Sequence, residues 1–207
     1  MSFLVLEGLD GAGTTTQRSL LTTSLRKRGL TVLETWEPTD GPVGQVIRRF
    51  LTGAIALDPA ALALLFAADR LDHLRREVRP ALEAGNVVVC DRYLLSSLAY
   101  QSIDLDGDWV ARINREADQP DLTIVLAISP EAALDRITRR GQPAEHYERL
   151  DRLRAVARAY RRAIDAARLA GAAVVMIAGD RAPEDVAADV LAAATRALGR
   201  SFTRPHL

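Results

Sequence analysis

Five short runs dominated by apolar and β-branched residues punctuate the chain, at Phe3–Leu6, Thr31–Thr35, Val87–Cys90, Leu122–Ile128 and Ala173–Ile177. Apolar positions in them are nearly continuous rather than alternating, the pattern of strands covered on both faces. Between them the spacing predicts helices over Thr15–Arg28, Val43–Leu51, Pro59–Ala84, Leu94–Ser102, Trp109–Ala117, Pro130–Arg139, Glu145–Ala170 and Pro183–Leu198. Gly29, Gly85 and Gly171 each follow a helical stretch and suit its C-terminal cap, while Pro59, Pro130 and Pro183 suit first turns. This alternation predicts an α/β fold in which a five-stranded parallel sheet is flanked by helices on both faces.

At 207 residues the chain is expected to be a single domain, 1–207, with no repeat or low-complexity linker. The breaker-rich segment Arg139–Ala144 reads as a flap between two helices, and Ser201–Leu207 as a loose basic tail. With 27 basic and 27 acidic residues there is no net charge, which argues against nucleic acid or an anionic membrane as partner. No stretch is long and apolar enough for a membrane span, and no basic segment precedes the first apolar run as in a signal peptide. The single cysteine, Cys90, reads as a small core residue in a cytoplasmic, reducing setting. The three histidines are scattered, so no structural zinc is expected.

Chemistry enters at Gly8-Leu9-Asp10-Gly11-Ala12-Gly13-Thr14-Thr15-Thr16, between the first strand and the first helix. The segment matches the phosphate-binding pattern G-x-x-x-x-G-K-[ST] except that Thr14 stands in the lysine position. Its glycines free backbone N–H groups to face an anion, and the helix dipole adds partial positive charge there. Thr15 can offer its hydroxyl to Mg²⁺. Missing is the ammonium that bridges the β- and γ-phosphates.

Asp91-Arg92-Tyr93 closes the third strand, where open α/β sheets bind ligands. There Asp91 can orient Mg²⁺ and Arg92 can hold a phosphoryl group. Ser96, Ser97, Tyr100 and Gln101 share the next short helix, and fit either sugar and base recognition or a capped helix with Tyr100 in the core. Phe66 and Arg70, one turn apart, can stack on a base and donate to its carbonyl, whereas Arg75, Arg76 and Arg79 read as a solvated face. Glu37-Pro38 follows the second strand, and Arg48 on the next helix can reach an acceptor phosphate.

Together these segments resemble the thymidylate kinases, P-loop nucleoside-monophosphate kinases that phosphorylate dTMP from ATP. The resemblance runs along almost the whole chain. It includes Glu7 to Gly13, Glu37-Pro38, Phe66 with Arg70, and Asp91-Arg92-Tyr93 with Ser96, Ala99, Tyr100 and Gln101. It extends to Pro120-Asp121-Leu122-Thr123, and to Arg136 and Arg139-Arg140-Gly141 before Tyr147 and Glu148. It implies a P-loop kinase fold, ATP as co-substrate, Mg²⁺, and a homodimer paired through helices. For that dimer Ala60, Ala61, Ala63, Ala67 and Ala68 could allow close packing, or they could face this chain's own sheet. It further implies that Phe66 stacks on thymine, Arg70 donates to the 4-carbonyl and Ser97 neighbours the base. Tyr100 would lie beneath the sugar and disfavour a 2′-hydroxyl. Arg48 and Arg92 would clamp the acceptor phosphate, with Asp10 near the 3′-hydroxyl and Glu37 in support. Arg136, Arg139 and Arg140 would belong to a lid at about 136–148 that brings arginine over the transferring group.

Three positions depart from the pattern: Thr14 for lysine, Trp36 for the arginine common before Glu-Pro, and Ala127 where an aspartate is common. An arginine finger contributes about 10³–10⁵ to phosphoryl transfer, so a lid arginine could carry the reaction without a loop lysine. Arg18, one turn into the first helix, is a second compensating candidate. Two alternatives stand beside this reading: a kinase-fold nucleotide binder with weak or lost transfer, and a kinase for another monophosphate such as dUMP.

Overall fold

The structure, a computed structural model, describes residues 2–141, 147 and 149–202. Five parallel strands, β1 (Ser2–Gly8), β2 (Val32–Trp36), β3 (Val87–Asp91), β4 (Leu122–Ala127) and β5 (Val174–Ala178), form one sheet in the order β2-β3-β1-β4-β5. β1 lies at its centre, with Leu6 opposite Asp91 on one side and Ile124 on the other. All seven of its residues are buried, which is why its sequence shows no polar alternation.

Side chains leave alternate faces of each strand. Leu4 and Leu6 join Leu21, Leu25 and Val190 beneath α1 (Thr14–Lys27) and α9 (Pro183–Phe202). Phe3, Val5 and Val88 face the other way, toward Leu74, Val78 and Tyr93. On that same side Val125 packs with Leu153, Val156 and Tyr160 of α8 (Leu150–Leu169). The remaining helices are α2 (Pro42–Leu51), α3 (Pro59–His73), α4 (Arg79–Glu83), α5 (Leu94–Tyr100), α6 (Gly107–Ile113) and α7 (Pro130–Arg140). Among the described residues no helix is long and apolar enough to cross a membrane.

The sheet and its helix flanks match expectation; several boundaries do not. The helix expected over Pro59–Ala84 is interrupted by a π turn at Leu74–Val78. Pro80 is the physical reason. It has no N–H to continue the ladder, and the Arg79 N–H reaches back five residues to the Leu74 carbonyl. The Leu94–Ser102 helix ends at Tyr100 and tightens into a 3₁₀ turn over Gln101–Ile103. The expected Trp109–Ala117 helix begins earlier because Asp106 caps the Trp109 N–H at 2.7 Å, and it stops at Ile113. α8 starts at Leu150, after extended Arg149, so Tyr147 lies in a turn ahead of it. Residues 142–146 and 148 of the flap and lid lie outside the described residues. α9 continues to Phe202, into the stretch expected to be tail, and 203–207 lie outside the described residues.

One packing constraint bears directly on the site. The loop after β2 passes under Gly44 of α2, where an added Cβ would meet the Thr39 carbonyl oxygen at 2.0 Å and the Thr39 amide nitrogen at 2.8 Å. Thr39 is also pinned from α3, since Asp69 accepts its N–H at 2.8 Å and its hydroxyl at 2.6 Å. Gly44→Ala should therefore force α2 off this loop at a cost of about 1–3 kcal/mol. At this chain length that is a Tm decrease of roughly 2–12 °C, measurable by calorimetry; an unchanged Tm would show that the contact yields freely.

Candidate functional site

At the carboxyl edge of the sheet, β1 runs into the Gly8–Thr16 loop. The Ala12 N–H closes a turn on the Leu9 carbonyl at 2.9 Å, and Gly11 and Gly13 take φ of 81° and 92°. A Cβ at Gly11 would lie 2.6 Å from the Ala133 carbonyl oxygen of α7, so that glycine permits close packing. A Cβ at Gly13 would meet nothing within 4 Å, so that glycine faces open space. Gln17 is the first N–H to find an intrahelical acceptor, Gly13 O at 3.0 Å, and no side chain caps α1. The preceding N–H groups thus have no helical partner, the arrangement that favours an anion. Thr14, in the lysine position, is uncharged and 5 % exposed.

The end of β3 meets this loop. The Thr15 hydroxyl donates to Asp91 Oδ2 at 2.7 Å, while the buried Oδ1 of Asp91 has no hydrogen-bond partner. A hydroxyl and a carboxylate with a spare oxygen are the hard donors that fit Mg²⁺. Arg92 takes φ of 67°, turning its side chain back across the loop. Its guanidinium donates to Gly8 O at 2.8 Å and to Asp10 Oδ1 at 2.5 Å, and reaches Ser96 and Tyr100 hydroxyls at 3.4 Å. Tyr100 in turn accepts the Asp10 N–H at 3.1 Å and packs edge-on to Tyr147 and Tyr160.

Glu7, 0 % exposed, organises the floor beneath these groups. It accepts from Tyr93 N–H at 3.0 Å, Ser96 N–H at 3.1 Å, the Ser96 hydroxyl, and Tyr160 OH at 2.9 Å. Burial pushes its carboxyl above the usual carboxylate range, and the Ser96 hydrogen bond opposes that shift. Ser96 is thus tied down as scaffold, whereas Ser97 turns toward Arg70.

A cavity of about 780 Å³ opens beside the loop and extends from Thr14, Thr15 and Thr16 to Phe66, Arg70, Tyr100 and Gln101. Arg70 is 2 % exposed. It donates to Glu37 at 2.8–3.0 Å, to the Tyr93 carbonyl at 3.1 Å, to Ser97 at 2.9 Å and to Asn114. Glu37, joined to Pro38 by a cis peptide bond, also accepts from His73 Nδ1 at 3.1 Å when that nitrogen carries the proton. The other ring nitrogen of His73 meets the Thr35 hydroxyl at 2.7 Å. Arg48 lines the same cavity, donating to the Pro38 carbonyl and pairing with Asp40 at 3.3 Å.

The three lid arginines separate. Arg140, with Tyr147, lines the cavity. Arg139 is 77 % exposed and pairs with Asp135 at 2.8 Å. Arg136 braces the back of the loop, donating to Gly179 O at 2.8 Å and more weakly to the Gly11 and Ala12 carbonyls. Arg18 also lines the cavity. The supporting roles of Glu7, Asp69, His73, Asn114 and Tyr160 were not assigned from sequence. Each lies far along the chain from its partner, and only Glu7 belongs to a recognisable motif.

Glu37→Ala would leave the Arg70 charge buried without its carboxylate. Breaking such a pair costs about 3–5 kcal/mol, and denaturant unfolding should show a loss of that order. A change under about 1 kcal/mol would mean that water or Asn114 takes over the charge.

Comparison with known proteins places this geometry in a family. The family model described as thymidylate kinase matches residues 6–190. The chain is 42 % identical over 191 residues to a probable thymidylate kinase of Pyrobaculum aerophilum, covering 92 % of this chain and 94 % of that protein. It is 45 % identical over 149 residues to a probable thymidylate kinase of Pyrococcus horikoshii, covering 69 % and 73 %. To a thymidylate kinase of Thermomicrobium roseum it is 45 % identical over 139 residues, covering 65 % and 66 %. With its parallel sheet, the Gly-rich loop after β1 and the adjoining cavity, the chain belongs to the thymidylate kinase family.

Proposed function

We propose that the protein transfers the γ-phosphoryl group of ATP to dTMP, giving ADP and dTDP, with Mg²⁺ at Thr15 and Asp91. One observation carries the reading: a single cavity runs from the loop that can hold donor phosphates to an aromatic–arginine pair that can hold a base. In this reading the N–H groups of Gly13 to Thr16 bind the donor phosphates, and Thr15 and Asp91 would hold Mg²⁺, which when bound would supply charge neutralisation at the phosphoryl oxygens. Phe66 stacks on thymine, and Arg70 uses its remaining Nη1 hydrogen for the 4-carbonyl. Ser97 and Gln101 border the base, and Tyr100 closes the space beneath the sugar. Arg92 and Arg48 hold the acceptor phosphate and Asp10 lies near the 3′-hydroxyl. The acceptor oxygen is already anionic, so positioning and charge stabilisation suffice without a strong base. Arg140 is the lid arginine best placed to reach the transferring group, with Arg139 requiring release from Asp135. A second reading, nucleotide binding with weak transfer, draws support from the uncharged, buried Thr14.

The reading extends to assembly and setting. Ala63 and Ala67 are buried within this chain, but Ala61, Leu64, Ala68 and Leu71 form an exposed stripe along α3. Their three- and four-residue spacing suits helix-to-helix pairing with a symmetric copy. The cytoplasm suits the buried thiol Cys90, whose pKa is raised by burial.

An ADP-release assay across nucleoside monophosphates should give the highest kcat/KM with dTMP and none without Mg²⁺; equal rates with all acceptors would reject the assignment. Tyr100→Ala should narrow the preference for deoxyribose over ribose, and an unchanged ratio would remove that role from Tyr100. Arg140→Ala should lower kcat about 10³-fold with little change in dTMP affinity; the Arg139/Arg140 double variant detects mutual substitution. Light scattering at micromolar concentration should report a dimer, and a monomeric mass would reject the α3 pairing.

A further inference from the structure

The missing lysine and Arg18 belong to one arrangement. Thr14 and Arg18 are four residues apart on α1 and so share a face of that helix. The Arg18 side chain is only 14 % exposed and lines the cavity with Thr14 and Thr15. Two groups on β2 hold it there. Glu34 accepts from its Nε at 2.9 Å, and Trp36 places a ring under the guanidinium carbon at 4.7 Å. A cation over an indole ring is stabilised by the ring's electron-rich face, the more so as water is excluded. Nη1 lies 3.8 Å from Asp91 Oδ2, the oxygen that accepts from Thr15, and Nη2 donates to no described residue. A cation held this way, beside the metal-binding pair and with donors to spare, is placed for phosphoryl oxygens rather than for the fold alone.

We infer that Arg18 is a catalytic residue that supplies the positive charge Thr14 cannot, binding the γ-phosphoryl oxygens of ATP from the Asp91 side of the loop. The inference rests on the kinase reading above. In the step it serves, an acceptor-phosphate oxygen forms a bond to Pγ. The bond from Pγ to the β–γ bridging oxygen breaks, and its electron pair stays on ADP. Arg18 stabilises the equatorial oxygens through that change, while Glu34 and Trp36 keep it from swinging into solvent. The arrangement also explains a tryptophan in place of an arginine at position 36: its ring supports a cation that comes from α1.

The test uses Arg18→Met, which keeps the aliphatic bulk and removes the charge, with and without Thr14→Lys. Arg18→Met should lower kcat about 10²–10³-fold while KM for dTMP stays within about threefold. Adding Thr14→Lys to that variant should recover at least tenfold, because the charge returns to the same oxygens from inside the loop. A structural role would not be rescued this way. Titration calorimetry separates the inference from the kinase reading: Arg18→Met should weaken a non-hydrolysable ATP analogue about tenfold and leave ADP nearly unchanged, whichever acceptor the enzyme uses. Equal losses for both nucleotides, a kcat within threefold of wild type, or no recovery with Thr14→Lys at unchanged Tm would each overturn it.

Discussion

The carboxyl end of β3 is the point on which the site depends. Three consecutive residues leave the sheet there, each fastening a different part of the molecule. Asp91 meets Thr15 of the Gly-rich loop and stands beside Arg18. Arg92, with positive φ, crosses back to Gly8 and Asp10. The Tyr93 N–H goes to Glu7 and its carbonyl to Arg70. A non-glycine residue in the left-handed region is disfavoured by sterics, costs of order 1–3 kcal/mol and persists only where its surroundings over-determine it. Four acceptors and hydroxyls around the Arg92 guanidinium do so here. The Gly8–Thr16 loop and α5 are thereby coupled through one side chain rather than merely lying close together.

Charge is distributed by the same logic. Glu7, Arg70 and Glu37 are almost fully withdrawn from water, and each is matched by several donors or acceptors. A buried ion is tolerated only when paired and hydrogen-bonded, so these networks leave little freedom for α5 and α3 to shift. Against that rigid background the Gly8–Thr16 loop is conspicuous for carrying no cation of its own. Its backbone N–H groups have no helical partner, and in the proposed reaction charge at the reacting group comes from the flanks. Arg18 and Arg140 both line the cavity beside Thr14 and Thr15.

Local signals were the legible ones. The buried strands announce themselves by unbroken apolar runs, and the loop after β1 by its glycines. Asp91 and Arg92 stand out through their place at a strand end. Helix ends were less legible because they turn on single side chains. Pro80 opens the π turn within an otherwise helical pattern, and Asp106 starts α6 two residues early. Long-range partners were illegible for a different reason. Nothing in the spacing of Glu7 and Tyr160, 153 positions apart, marks them as bonded, and the same is true of Thr39 with Asp69. Arg18 is legible from its place one turn into α1 as a compensating candidate, but its orientation is not. That Trp36 and Glu34 would hold it toward the cavity follows from the β2–β3 register, which brings Trp36 opposite Asp91.

In the proposed reaction a loop without the pattern's lysine still directs a phosphoryl group onto thymidylate. Single-turnover mixing of excess enzyme with γ-labelled ATP, Mg²⁺ and dTMP tests it most directly, by following the label itself. The label should pass into dTDP in one kinetic phase, with inorganic phosphate a minor product, if the flanking arginines and the acceptor site align the transfer. Label that remains in ATP, or appears chiefly as inorganic phosphate at the same rate with and without dTMP, would contradict it.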